Sequence, residues 1–171
     1  MEKTMRLAAA MKYLKELEDE KRTLLKQESE NSTYQMLNGS APEIPEYDFK
    51  AVQRQLEKID ETVCNIRHAM NVANATKVVE GTGLTVDQIL VTMAQTNDRL
   101  GRLQGMATKA KKSQPRFMGA LENQTVIFCT NYDPEEVKCC YKQMREKLTN
   151  LQMALDLHNL STEITFTSVV D

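Results

Sequence analysis

The 171-residue sequence predicts a mainly α protein. Four long amphipathic helices are expected to pack as coiled-coil-like antiparallel hairpins, with a small β-hairpin between the third and the fourth. Three observations predict it. Apolar residues recur alternately three and four apart along most of the chain, the signature of helices with one buried stripe. Trp is absent, aromatic residues make up 5% and there are ten Met, a profile nearer a helical bundle than a β-sandwich. Between Phe117 and Thr130 the period changes and β-branched and aromatic residues gather. At this length one domain over 1–171 is expected.

The first helix is expected over about 4–30, with Leu7, Ala10, Leu14, Leu17 and Leu24 on its stripe. Lys21 stands where an apolar residue is due, and a polar interruption of this kind can set register. The connection that follows, 31–47, contains Gly39, Pro42 and Pro45, which cannot continue a helix. It is longer than most helix connections and reads as a surface loop.

The second helix, over about 48–75, carries the cleanest pattern in the chain. Phe49, Val52, Leu56, Ile59, Val63, Ile66, Met70 and Ala73 follow the three–four alternation without a miss, which keeps a narrow apolar seam facing a partner helix. Asp48 precedes it as an N-cap.

The third helix, over about 85–111, opens on T-V-D-Q. That is a capping box in which the Thr85 hydroxyl and the Gln88 side chain satisfy backbone N–H groups reciprocally. Val86, Ile89, Met93, Leu100, Leu103 and Ala107 mark its stripe, Thr96 or Asn97 fills the missing slot, and Pro115 ends the segment.

F-M-G-A-L, running into L-E-N-Q, and T-V-I-F-C-T predict a β-hairpin over about 116–130. A lone hairpin is marginal in water, so it must pack on the helices or pair further. The tail I-T-F-T-S-V-V also alternates, as a further strand over 163–170 would. The fourth helix, over about 133–160, starts at Asp133 with Pro134 at its first position and acids in its first turn. Val137, Tyr141, Met144, Leu148, Leu151, Leu155 and His158 form its seam.

Composition excludes several function classes. Net charge is −2 with Lys and Arg spread along the chain, so the broad basic surface that duplex nucleic acid requires is missing. The opening residues lack a signal peptide's apolar core, and no apolar run approaches the roughly 20 residues of a membrane span. A cytoplasmic protein is therefore expected, with membrane partnership unfavoured. Asn31, Asn38, Asn74, Asn123 and Asn159 head Asn-x-Ser/Thr triplets that matter only on secretion. Cys64, Cys129, Cys139 and Cys140 have no zinc-type spacing, and adjacent helical Cys diverge by about 100°. Gly81 and Gly83 lack the strand that a phosphate loop follows.

Catalysis has little to stand on. His68 lies off its helix's seam, and His158, although on a seam, sits in L-D-L-H-N-L where a bond to a neighbouring polar group is the simpler role. Glu135 with Glu136, and Glu18 with Glu20, occupy positions where first-turn or solvated acids belong. No catalytic residue, metal or cofactor is expected. What remains is a set of polar groups close to the apolar stripes: Asn71, Asn74, Asn97, Arg99, Arg116, His158 and Asn159. They serve either capping and register control or the binding of a small anionic or nucleotide-like ligand at helix ends.

The order of motifs resembles the septicolysin-like family of small bacterial helical proteins over most of the chain. The resemblance rests on the opening amphipathic helix, the linker A-P-E-I-P-E, N-I-R-H-A-M-N-V-A-N, G-L-T-V-D-Q-I-L, P-R-F and L-Q-M-A-L-D-L-H-N-L-S-T-E-I. Asn71 and Asn74 match the family's helix-end asparagines, Asp98 its mid-helix acid, and Asn159 with Glu163 its closing motif. Ala73 stands in place of its Thr, Asn97 of its Arg, Gln152 of its Asp and Leu160 of its Trp. The resemblance implies helical hairpins with a small β element, and its label implies a pore-forming lysin. The leading expectation is a non-enzymatic, homo-oligomeric binding protein. The alternatives are a coiled-coil scaffold or protein-interaction module, and a lysin.

Overall fold

The elements follow in the order β1 (Glu2–Arg6), α1 (Leu7–Asn31), α2 (Phe49–Thr76), α3 (Val86–Ala107), β2 (Lys112–Ser113), β3 (Phe128–Cys129), α4 (Pro134–Ser161) and β4 (Glu163–Thr167). The computed structural model describes residues 1–36, 38–39, 44–113 and 127–170. The chain is mainly helical, with small antiparallel sheets, and divides into two compact units. One comprises Met1–Lys77 with Leu157–Asp171, the other Val78–Asp156.

In the first unit β1 and β4 pair antiparallel, from Glu2↔Thr167 to Arg6↔Glu163. Met1 and Ser168 exchange both backbone hydrogen bonds, at 2.7 and 2.8 Å, and the Leu7 N–H reaches the Thr162 carbonyl at 2.8 Å. Alternation then makes Thr4–Thr165 a pair that exchanges no backbone bonds, each residue turning its N–H and C=O to the sheet's outer edge. The side chains of Ile164, Phe166 and Ser168 are buried, whereas Glu163, Thr165 and Thr167 are exposed. Period-two burial has thus given the sheet one face against the helices.

Beneath that face α1 and α2 run antiparallel. Glu28 accepts from Gln53, Lys21 pairs with Asp60, and Glu18 pairs with Arg67, so positions rise on one helix as they fall on the other. Leu7, Ala10, Leu17, Ile59, Ile66, Ala73, Ile164 and Phe166 form the core. Each large side chain removed from water there contributes about 1.5–3 kcal/mol before entropy is counted. Thr62, fully buried, turns its hydroxyl to the Val169 N–H at 3.1 Å and pins the C-terminal segment to α2.

In the second unit the expected capping box starts α3, with Thr85 and Gln88 each accepting the other's backbone N–H. Ahead of it, Val78 bridges to Thr85, and Gly81 (φ 76°) and Gly83 (φ 68°) supply the left-handed backbone of the intervening turn. Val86 and Ile89 pack with Leu151 and Leu155 of α4, while the Tyr132 hydroxyl just before α4 donates to the Met106 carbonyl at 3.0 Å. These two contacts, at opposite ends, make α3 and α4 antiparallel.

Four differences from the sequence reading stand out. The first helix starts at Leu7 rather than Thr4, because E-K-T-M-R is drawn into a ladder with a strand at the other end of the chain. Helix α3 ends at Ala107, short of 111, and Lys112–Ser113 instead pairs with Phe128–Cys129. Pairing therefore begins before the expected hairpin, whose residues 116–126 lie outside those described. The tail does form a strand, over Glu163–Thr167, but with β1. On the α2 seam Leu56, Ile59, Ile66 and Ala73 are buried, whereas Phe49 is 60% exposed. The polar slot in α3 is Thr96, which is buried and donates to the Thr92 carbonyl.

Candidate functional site

Along the outer edge of β4, where it lies over α2, the first unit has an open trough of about 560 Å³. Its helix wall presents Asn65, His68, Val72 and Lys77, and its strand wall is Glu163–Thr167. The spacing of 65, 68, 72 and 76 places one flank of α2 along the trough, beside the seam that faces α1.

The two ends of this edge are held by side chains from α2. Lys77 Nζ donates to the Glu163 carbonyl at 2.6 Å, and Asn65 Nδ2 donates to the Thr167 carbonyl at 3.0 Å. Both strand residues belong to the outward-facing set, so these bonds engage carbonyls that the β1 ladder cannot use. Thr165 lies midway, its N–H and C=O directed into the trough. Val72 is 48% exposed, an apolar side chain on a helix wall that also carries Asn65, His68, Thr76 and Lys77.

Lys77 also acts on His158. That imidazole is 8% exposed near the end of α4, with Thr162 Oγ1 at 3.3 Å. Burial first, and the Lys77 charge second, push its pKa below the ordinary value. The imidazole is thus in contact with a neighbouring hydroxyl at the end of α4.

The residues singled out in the sequence are dispersed. Asn71 is exposed and Asn74 half-buried on α2, and His158 and half-buried Asn159 close α4, all four within the first unit. Asn97 and Arg99 are both exposed on α3, in the second unit. Arg116 lies outside the described residues. Asn65 and Lys77 were not anticipated as site residues. Asn65 lies immediately before the seam residue Ile66, and only the alternation of the tail hinted that a strand would come to lie beside it.

Among the described residues no group of three His, Cys, Asp or Glu is arranged to hold a metal ion. The four cysteines are free, and all but half-buried Cys140 are exposed. A second hollow, of about 680 Å³, lies between the 80–84 turn and α4, where Glu80, Glu146 and Lys147 meet solvent. Among the described residues no helix is long and apolar enough to cross a membrane.

The chain is similar to the crystal structure of a functionally unknown conserved protein from Corynebacterium diphtheriae. The likeness covers 95% of this chain and 99% of that one, with a TM-score of 0.58 and 15% identity. At that identity it shows the fold alone. No family model matches the chain. No curated protein matches it.

Proposed function

We propose that the protein is a non-enzymatic binding module that works by strand addition, taking an extended polypeptide segment along the outer edge of β4. The orientation of Thr165 carries this reading: its N–H and C=O face a trough walled by α2 and are not used by the β1 ladder. An extended backbone satisfies such an edge with main-chain hydrogen bonds, while the wall selects side chains. A two-stranded sheet is marginal by itself, so an added strand also stabilises its host. The coiled-coil-like packing of the helix pairs serves here as the rigid base that keeps the edge in place.

Amide hydrogen exchange tests it. The Thr165 N–H should exchange slowly when an extended polypeptide occupies the trough, while the Thr4 N–H on the opposite edge is unaffected. Fast exchange at Thr165 under every protein and peptide concentration tried would sink the reading.

A second reading, capture of a small anionic or nucleotide-like ligand at helix ends, is favoured by Lys77, which makes no ion pair among the described residues. Asn74, His158 and Asn159 lie on the neighbouring helix ends. Inorganic phosphate and nucleotides should then raise the melting temperature of the native protein but not of a Lys77→Ala variant. Flat titrations would remove this alternative.

A further inference from the structure

We infer that the strand filling the trough is β4 of a second copy of this chain, paired antiparallel about a two-fold axis at Thr165. The inference rests on the strand-addition reading and names its partner. Odd-numbered residues of β4 turn their backbone groups outward. A second β4 centred on Thr165 therefore brings Thr165 opposite Thr165 of the second copy, as a pair exchanging both N–H···O bonds. Glu163 comes opposite Thr167 at each end.

Charge agrees with this register. In E-I-T-F-T each carboxylate meets a threonine across the new ladder, so no like charges are opposed. A parallel, in-register pairing would line up Glu163 with its own copy. The carbonyl oxygens that Lys77 and Asn65 bond each retain a second lone pair, so each can still accept an incoming N–H.

The helices fit the same axis. A two-fold perpendicular to the sheet keeps the helices of both copies on one side of it and lays one α2 beside the other. On α2, Lys77 stands level with Glu163 and Asn65 with Thr167, so the level of Thr165 falls midway, next to Val72. The exposed apolar side chain of the trough is thereby placed at the axis, with Ala69 a turn earlier allowing close approach. The product is a four-stranded sheet, β1-β4-β4-β1, with the helices of both copies on the same face. The marginal two-stranded sheet becomes a stable one, and both β4 edges are closed against further pairing.

Sedimentation equilibrium on the full chain tests this with three variants. Thr165→Pro removes an N–H that the β1 ladder does not use, together with the exposed hydroxyl contact to Thr4. Thr4→Pro makes the same change on the opposite edge. Val72→Glu sets two carboxylates together at the axis and decides the matter if Thr165→Pro loses its native circular dichroism. Wild type and Thr4→Pro should be dimers, and Thr165→Pro and Val72→Glu folded monomers. A wild type that stays monomeric, or a folded Thr165→Pro or Val72→Glu that still dimerises, overturns the inference. If the wild type is a monomer whose Thr165 N–H is nevertheless protected by an added peptide, the second copy is refuted and strand addition stands. If neither is seen, both readings fall.

Discussion

Thr4 and Thr165 lie 161 positions apart in the chain, yet their Oγ1 atoms are 2.9 Å apart across β1 and β4. The pair faces solvent, so its hydroxyls give up bonds with water for one with each other, at little net gain. A double-mutant cycle with Thr4→Ala and Thr165→Ala, read by urea denaturation, should give a coupling of roughly 0.2–1 kcal/mol. No measurable coupling would indicate that the two strands are not held in this register in solution.

The α2 seam should divide energetically in a way its regular spacing hides. Ile66 is 0% exposed and Phe49 is 60% exposed. Ile66→Ala removes core contacts and should cost roughly 2–5 kcal/mol. Phe49→Ala should stay within about 0.5 kcal/mol of wild type. Denaturant titrations of the two variants make the comparison, and equal losses would contradict the burial described for Phe49.

His158 should make stability depend on pH. Burial, and secondarily Lys77, lowers its pKa in the folded chain, so the unfolded chain binds a proton more readily. The contribution of the neutral imidazole is present in full above the unfolded value of about 6.5 and is lost as pH falls through that value toward the folded one. Urea midpoints should therefore decline on acidification below about pH 6.5, and His158→Gln should flatten that part of the profile. An unchanged profile in the variant would assign the pH dependence to other groups.

The lysin implied by the septicolysin-like resemblance makes a prediction opposed to strand addition. A pore-former should release dye from liposomes in proportion to its concentration. On the reading favoured here the vesicles stay sealed while Thr165 still titrates with its polypeptide partner. Leakage abolished by Thr165→Pro would link the two activities and would require the trough to be read as an assembly surface for the pore.

Much of the fold was legible in the sequence because helix signals are local. A stripe of period 3.6 is written in consecutive residues, as Val137 through His158 shows on α4. The Thr85–Gln88 box and the Asp48 cap, which accepts the Ala51 N–H at 3.1 Å, involve partners three positions apart. Helix ends were less accessible. T-M-R reads as the start of the first amphipathic helix, and only a partner strand from the far end of the chain makes it β.

The site was less legible still, for the same reason. The helix-end asparagines drew attention because amides beside apolar stripes are conspicuous, yet Asn65 and Lys77 acquire a role only when β4 is laid across α2. Their acceptors are backbone carbonyls, and a backbone group carries no residue-specific mark in a sequence. Local pattern by itself determined that four helices form, most of their buried stripes, and the Asp48 and Thr85 caps. Tertiary structure decided that the two ends of the chain pair and that Thr165 turns its backbone outward, because strand pairing and edge exposure depend on contacts between residues that the sequence keeps far apart.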